Sequence, residues 1–449
     1  MQDLNDLSDP HSSSDTTDDP ILPPVLSSSE QLAETYIKQL TDEERRSKIT
    51  WGTQVITYIL TKWPKASDIQ IRCDQPIRVQ VGRTIEIVHD LGTHGSEINR
   101  LSPLQALGCI LALYRARIGA RGDAEESSYE EEDRVFLRRL GLTLKADFAV
   151  KSDSFLSLSS DLKIGRLRVH CFWDYKGIAC AARILYEKIP QLEELGYHEA
   201  LSQQLFNLAT RSNGIGLVTG PTGNGKSTTL AALAAKILRT LPKHVLTIED
   251  PIEYHLPDQD EETRKYLPGM VTQQEVGVDI QSFHAGIMTA LRKHPDIVIL
   301  GELRDIDSIR AALNCAETGH FVLATLHTCS ATESISRIIS PFPDTERQGI
   351  LTQLSQNLRF ILSQGLLADR ADSSKKVLCY EFMANTAIKS RGAISGYMTN
   401  QGTGLDEWMN DRVNTRWDDN LTNLFAQNRI SRETLEAHVH NLETLDRLK

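Results

Sequence analysis

The first part of the chain shows the alternation of apolar and polar residues that predicts β-strands, together with one strong helical period. The predicted elements are a strand over 67–71, a hairpin over 77–87, a helix over 101–116, and strands over 166–172 and 178–185. This mixture of strands and a helix within a short length favours a small α+β domain.

From residue 200 to about 360, short apolar runs alternate with helical periods. Buried strands are predicted over 215–218, 297–300 and 321–326, and a further strand ends near Glu249. Such alternation predicts an α/β fold built on a wound parallel sheet. Beyond residue 390 the chain becomes polar and ends in one predicted amphipathic helix. The apolar face of that helix carries four residues: Leu435, Val439, Leu442 and Leu445.

These patterns divide the chain into five segments. The first 30 residues are rich in Asp, Ser and Pro, a composition that favours disorder, and Pro190 opens a polar stretch typical of a linker. The predicted segments are a disordered acidic tail (1–30), an α+β domain (31–190), a linker (191–199), an α/β domain (200–390) and a C-terminal helical extension (391–449).

A complete phosphate-binding loop lies between the strand at 215–218 and the helix that follows it. Unpaired backbone N–H groups at that helix N-terminus suit the phosphates of ATP, and glycines let the backbone wrap around them. The lysine of such a loop reaches the β- and γ-phosphates, and the serine is placed to ligate Mg²⁺. The predicted ATP-binding residues are Gly220, Pro221, Thr222, Gly223, Asn224, Gly225, Lys226, Ser227 and Thr228.

Polar side chains follow three other predicted strands, at the edge of an open α/β sheet where ligands bind. Glu302 ends the run at 297–300 and is the first candidate for the residue that positions the attacking water; Glu249 is the second and a candidate Mg²⁺ ligand. His327 follows the strand at 321–326 and is placed to hydrogen-bond the γ-phosphate, although a structural role is equally compatible. Arginines that offer positive charge to the phosphates are Arg292, Arg304, Arg337 and Arg359.

Composition narrows the functional classes. A chain of 449 residues with 40% hydrophobic and 24% charged residues predicts two or three globular domains. The net charge of −11 makes direct nucleic-acid binding an unexpected activity. Seven scattered cysteines without a C-x-x-C pair favour the reducing cytoplasm. No apolar run is long enough to cross a bilayer, so we expect membrane association only through partners.

Four motifs in this order resemble those of the secretion ATPase superfamily, which drives type II secretion, type IV pili and type IV secretion. They are GPTGNGKSTT (220–229), TIEDPIE (247–253), ALRKHPDIVILGELRD (290–305) and AETGHFVLATLHT (316–328). In that family they resemble the Walker A, Asp-box, Walker B and His-box elements. The resemblance extends over residues 65–385.

The resemblance implies a RecA-like P-loop domain that follows a smaller PAS-like domain, and a homohexameric ring in which each PAS-like domain packs on the next subunit. The segment Ala66-Ser67-Asp68-Ile69 is similar to the start of that domain in the PilT-like branch. Residues 166–169 resemble a strand whose arginines face the nucleotide of an adjacent subunit, which assigns Arg166 and Arg168 to catalysis. The resemblance also assigns His327 to nucleotide sensing.

Two departures guide the choice within the superfamily. The four-cysteine zinc motif of assembly and type II export ATPases is missing, and the A-I-R-N-L-I segment of retraction motors reads Ala387-Ile388-Lys389-Ser390-Arg391-Gly392. The chain therefore looks most similar to the DotB/TraJ-type ATPases, which implies docking on an inner-membrane type IVB secretion or conjugation complex beside its other ATPases. The alternatives are a pilus retraction motor, a nucleotide-gated scaffold with negligible hydrolysis and, less favoured by the acidic charge, a DNA translocase.

Overall fold

The structure is a computed structural model of the chain. It describes residues 41–63, 66–81, 84–88, 100–119, 133, 135–137, 140, 145–151, 164–186, 189–259, 265–372, 375–399 and 402–446. The predicted acidic tail (1–30) and the predicted hairpin turn at Gly82-Arg83 lie outside these residues.

The N-terminal part forms a six-stranded antiparallel sheet with two helices. Its elements are α1 (Asp42–Lys62), β1 (Ala66–Arg72), β2 (Arg78–Val81), β3 (Thr84–Ile87), α2 (Pro103–Gly119), β4 (Lys145–Lys151), β5 (Ile164–Asp174) and β6 (Gly177–Tyr186). The strand order is β3-β2-β1-β6-β5-β4. All the strands and the helix predicted for this region from periodicity are present. Most of them bury an apolar face in a common core, whereas β3 is exposed and is held by its pairing with β2.

Helices α1 and α2 approach each other through two glycines. A Cβ atom on Gly52 would lie 2.5 Å from the carbonyl oxygen of Gly108, and one on Gly108 would lie 2.4 Å from the carbonyl oxygen of Lys48. Only residues without a side chain permit this backbone contact. The close packing holds α1 and α2 together.

The second part is a seven-stranded mixed sheet covered by helices. Its elements are β7 (Gly214–Thr219), α4 (Lys226–Thr240), β8 (His244–Glu249), β9 (Met270–Glu275), α5 (Phe283–Ala290), β10 (Ile297–Leu300), α6 (Ile306–Glu317), β11 (Phe321–Leu326), α7 (Ala331–Ile339), α8 (Asp344–Asn357), β12 (Leu358–Ala368) and β13 (Lys376–Ala384). The order is β13-β12-β7-β11-β10-β8-β9, and every neighbouring pair is parallel except β12 and β13.

The central strands of this sheet are buried on both faces. All residues of β7, β10 and β11 are buried, which explains why these strands appear in the sequence as unbroken apolar runs. The carboxyl ends of β7, β8, β10 and β11 lie along one edge of the sheet. Glu249 is the last residue of β8, and the phosphate loop, Glu302 and His327 follow the ends of β7, β10 and β11.

The segment predicted as a linker (191–199) is folded against the α/β part. It contains a 3₁₀ turn (Leu192–Leu195) and the start of α3 (Glu199–Ala209). Leu192 and Tyr197 are buried in the core on the α4 side of the second sheet. The boundary predicted from polarity therefore falls in a packed segment, whose apolar anchors are too widely spaced to form a period.

The C-terminal residues form α9 (Ile388–Ser395), α10 (Thr403–Met409), α11 (Trp417–Ala426), α12 (Arg432–His438) and α13 (Glu443–Asp446). The single helix predicted over Leu435–Leu445 is wrong: α12 ends before Val439, which is extended, and Leu442 is 72% exposed. The Asp418 carboxylate accepts hydrogen bonds from the backbone N–H groups of His440 and Asn441, which holds the chain in a turn there.

This extension lies along the free edge of β13. The backbone N–H groups of Tyr380, Phe382 and Ala384 donate to the Asn420 side chain, the Thr415 carbonyl and the Asn414 side chain, respectively. Trp417, Leu421 and Leu435 pack with Leu367 and Val377 of β12 and β13 into a separate apolar cluster. Among the described residues, no helix is both long and apolar enough to span a bilayer.

Candidate functional site

The phosphate loop joins the end of β7 to the first turn of α4, as the motif predicts. Gly220, Gly223 and Gly225 have φ values of 140°, 80° and 78°, a region of backbone conformation that favours glycine. A Cβ atom on Gly220 would also lie 2.2 Å from the carbonyl oxygen of Gln364. The loop therefore needs glycine at Gly220 for two reasons, its backbone conformation and the contact with β12.

A buried hydrogen-bond network fixes the loop to β12. The Gln364 amide donates to the Asn224 carbonyl over 2.7 Å, and its oxygen accepts from the hydroxyls of Tyr197 at 2.7 Å and Thr229 at 3.0 Å. The Asn224 side-chain oxygen in turn accepts from the Leu366 N–H at 2.7 Å. Because these partners lie on β12, on α4 and in the segment before α3, the loop conformation is held by the fold.

Lys226 lies within the loop and is buried. Its ammonium group donates to the carbonyl oxygens of Gly220 at 2.7 Å and Pro221 at 3.1 Å. Burial lowers the pKa of Lys226, while the negative charges of Glu302 and Glu253 oppose that shift. The ammonium is thus positioned at the mouth of the loop, with carboxylates nearby that favour its charged form.

His327 bridges the phosphate loop and Glu302. Its Nδ1 atom lies 3.4 Å from the Lys226 ammonium and 3.5 Å from the Thr222 hydroxyl, and its Nε2 atom lies 3.2 Å from a Glu302 oxygen. An ammonium only donates, so Nδ1 accepts and Nε2 carries the proton that faces Glu302. The second Glu302 oxygen accepts from Arg304 Nε at 2.7 Å. The predicted water-positioning carboxylate and the predicted sensor are in direct contact.

Glu249 ends β8 and is partly buried. Burial raises the pKa of its carboxyl to about 7 and outweighs the hydrogen bond from the Gln273 amide, which lies 3.3 Å away. The Gln273 side chain also pairs with the backbone of Tyr254 and Leu256, so it holds the Asp-box segment in place. A cation beside Glu249 would favour its ionised form.

The groups around Glu249 fit a magnesium ion that also binds phosphates and water. Within the described ranges, no group of three or more His, Cys, Asp or Glu side chains is arranged to hold a metal ion alone. Magnesium in nucleotide sites uses one or two protein oxygens and takes its other ligands from phosphates and water. Ser227 and Glu249 line one cavity of about 40 Å³ and supply such oxygens.

Arg168, on the first sheet, contacts the Asp box (247–253) of the same chain. Its guanidinium lies 3.5 Å from a Glu253 oxygen and 3.4 Å from the Asp250 carbonyl. The role of Arg168 towards an adjacent subunit stays a prediction. Arg166 lies on the same strand, β5, and its side chain is outside the described residues. Arg359 contacts the Asn213 backbone and side chain, which indicates a structural role.

The sequence did not predict the residues that hold the site's loops in place through hydrogen bonds. Gln364 and Tyr197 hold the phosphate loop, and Gln273 holds the Asp box, but none of them belongs to a motif. Gln364 is a polar residue within an apolar strand and is 2% exposed. That exception to the strand pattern is a signal in the sequence that points to a buried polar network.

A family model described as "Type II/IV secretion system protein" matches residues 151–420. The chain belongs to this family. The resemblance to the PilT-like secretion ATPase superfamily is therefore confirmed. The chain is 40% identical over 223 residues, 50% of its length, to the Pseudomonas aeruginosa protein named as the type IV pilus retraction ATPase PilT. It spans 61–64% of the length of the first curated relatives it matches.

Solved structures of secretion and pilus ATPases have the same fold as this chain. A crystal structure of the pilus retraction motor PilT with bound ADP has a TM-score of 0.67 at 29% identity, with 87% of this chain and 99% of that chain covered. The Legionella pneumophila ATPase DotB has a TM-score of 0.66 at 22% identity, with 85% and 93% covered. The DotB likeness concerns the fold alone.

Proposed function

We propose that this protein is an ATP hydrolase that powers a type IV, IVB-like, secretion or conjugation apparatus. The observation that carries the proposal is the contact chain from Lys226 through His327 to Glu302. It joins a phosphate-binding cation, a group within reach of the γ-phosphate and a carboxylate beside the position of an attacking water. An ATP-binding protein without turnover would not need all three.

Each residue has a distinct role in this proposal. The loop N–H groups and Lys226 hold the phosphates, and Glu302 orients the attacking water and accepts its proton. His327 senses whether the γ-phosphate is present, because its Nδ1 atom faces the loop while its Nε2–H faces Glu302. Ser227 and Glu249 would hold a magnesium ion, which when bound would supply positive charge to the phosphate oxygens.

The wider architecture is part of the proposal. The antiparallel sheet with α1 and α2 is the PAS-like domain, and the seven-stranded sheet is the RecA-like domain. Six chains form a ring in the cytoplasm, peripheral to the inner membrane and bound to the secretion complex and its other ATPases. The contact of Arg168 with the Asp box supports coupling between ATP hydrolysis and rigid-body movement of the two sheets.

A pilus retraction motor is the second candidate. The 40% identity to PilT over half of the chain favours it. The altered segment at Ala387-Ile388 and the C-terminal extension packed on β13 favour a secretion or conjugation motor. The two candidates share the same chemistry and differ in the docking partner.

Phosphate release at steady state tests the enzymatic part of the proposal. We expect Mg²⁺-dependent release of phosphate from ATP by the purified protein. Tight ATP binding with no release above background would instead identify a nucleotide-gated scaffold. Stimulation that required DNA would indicate a translocase.

The docking partner identifies the machine. A Glu302→Gln protein loaded with MgATP is isolated from its native cells, because this variant should retain the ATP-bound state. Recovery of a secretion or conjugation core with its other ATPases is expected. Recovery of a pilus platform protein and pilins would make the protein a retraction motor.

Arg168→Ala is expected to lower the rate of hydrolysis on the order of 10³-fold if the guanidinium stabilises the transferring phosphate. Folding should change little, because the side chain is partly exposed and its nearest carboxylate is 3.5 Å away. Thermal unfolding and phosphate release measure the two effects. Arg183→Ala is the matched control, because Arg183 pairs with Arg168 across β5 and β6 but contacts Asp68.

Mixed rings test whether Arg168 acts across a subunit boundary. An Arg168→Ala chain keeps its own phosphate loop, and a Lys226→Ala chain keeps Arg168. Restored hydrolysis on mixing supports action on the neighbouring subunit. If no mixing ratio restores it, Arg168 serves the site of its own chain, where it lies near Glu253.

A further inference from the structure

Thr247 is a buried polar residue that the proposed catalytic roles leave unexplained. It lies two residues before Glu249 on β8 and is 1% exposed. Its hydroxyl makes no well-formed hydrogen bond with the residues that the structure describes, although it lies close to the Glu249 carboxylate. A buried hydroxyl without a partner costs about 1–3 kcal/mol, so a retained one calls for an explanation.

The Thr247 side chain lines the cavity of about 40 Å³ that Ser227 and Glu249 also line. Residues two apart on a strand point to the same face, which places the Thr247 hydroxyl beside the Glu249 carboxylate. The hydroxyl lies near enough to lower the pKa of Glu249 against the effect of burial. The volume open to the centre of a water molecule, about 40 Å³, exceeds the roughly 10–15 Å³ that one water needs.

The cavity supplies the polar partners that one water molecule needs. A buried water makes about three hydrogen bonds. Thr247 can both donate and accept, Glu249 accepts, and the Ser227 hydroxyl can do either. The Thr325 hydroxyl, also in the lining, already donates to the Gly301 carbonyl and so retains only acceptor capacity. Leu230, Ala231 and Ile299 form part of the apolar lining.

We propose that this cavity binds one ordered water that connects the Thr247 hydroxyl to Glu249 and Ser227, and that Thr247 is thereby a positioning residue for the magnesium site. The water orients the Glu249 carboxylate and the Ser227 hydroxyl towards the cation. This inference rests on the proposed ATP-binding function, because it concerns the ion that accompanies the nucleotide.

The test compares Mg²⁺-dependent nucleotide binding in variants that keep or remove the hydroxyl. Thr247→Val keeps the shape and removes the hydroxyl, whereas Thr247→Ser keeps the hydroxyl. A fluorescent ATP analogue is titrated at increasing Mg²⁺ and again in EDTA. We expect Thr247→Val to raise the Mg²⁺ concentration for half-maximal binding by about 10-fold, a typical loss on removing an outer-shell partner. Binding in EDTA should stay unchanged, and Thr247→Ser should resemble the wild type.

Ser202→Ala is the matched control. Ser202 in α3 is also 1% exposed and has a hydroxyl without a partner in the described structure, but it does not line the cavity. This variant should keep the wild-type dependence on Mg²⁺. A high-resolution crystal structure of the wild-type protein adds a measurement that needs no variant, and a water within hydrogen-bonding distance of Thr247 is expected there.

Three results would overturn the inference. They are an unchanged Mg²⁺ dependence in Thr247→Val, an equal shift in Thr247→Ser, and a dry cavity in the crystal structure. Failure of the proposed function gives a different result, because the wild-type protein would then bind the ATP analogue equally poorly with and without Mg²⁺.

Discussion

Glu302→Gln is expected to lower the rate of ATP hydrolysis by about 10²–10⁴-fold while ATP binding persists. The amide keeps the size of the side chain but cannot accept the proton of the attacking water, and general-base catalysis contributes about this factor. Steady-state phosphate release and equilibrium binding of a fluorescent ATP analogue separate the two effects. The hydrogen bond from His327 Nε2, 3.2 Å from Glu302 in the wild-type protein, remains possible with the amide oxygen.

A remote carboxylate provides the control for this substitution. Glu346 on α8 pairs with Arg310 at the surface, 2.8 Å away, and takes no part in the site. Glu346→Gln should keep the rate within about twofold, because exposed ion pairs contribute little. Hydrolysis by Glu302→Gln at the wild-type rate would remove Glu302 from the catalytic role and leave Glu249 as the candidate.

Lys226→Ala is expected to weaken ATP binding by about 10–100-fold. Hydrogen bonds to charged groups contribute about 1.5–3 kcal/mol, and the substitution removes the one ammonium that the loop itself carries. Lys226 also donates to the carbonyls of Gly220 and Pro221, so the substitution removes two hydrogen bonds within the loop. Equilibrium titration with the fluorescent analogue measures the loss.

Lys236→Ala on the same helix is the matched control. Lys236 pairs with Glu193 on the 3₁₀ turn, well away from the loop. The Lys236→Ala variant removes the same charge from the same helix, which makes it a matched control. It should bind ATP as the wild type does, because Lys236 lies away from the loop. ATP affinity of Lys226→Ala equal to that of this control would contradict the assignment of the phosphate loop.

Local pattern predicted the central strands of both sheets, but not β4, β9, β12 or β13. The strands at the centre of the second sheet were predictable because burial on both faces requires unbroken apolar runs, as in β7 and β11. The loop between β7 and α4 was predictable because its glycines meet a backbone requirement that glycine satisfies at no steric cost. Glu302 and His327 were predicted as separate site residues, and the structure brings them into contact.

Contacts between distant segments were not predictable in this way. Gln364 meets Tyr197 across 167 positions of the sequence, and no local period encodes that pairing. The break before Val439 has the same origin, because Asp418 supplies the acceptors that turn the chain there. The predicted linker is packed for a related reason: Leu192 and Tyr197 pack in a core whose other members come mostly from distant parts of the sequence.

The C-terminal extension has a consequence for how copies of this chain can associate. An uncovered edge strand presents a row of backbone donors that another strand can pair with. At β13 the outward N–H groups of Tyr380, Phe382 and Ala384 are already used by the chain's own residues. These three positions of the β13 edge therefore offer no free donor to another strand. At this part of β13, the extension therefore opposes edge-to-edge pairing with the strand of another copy.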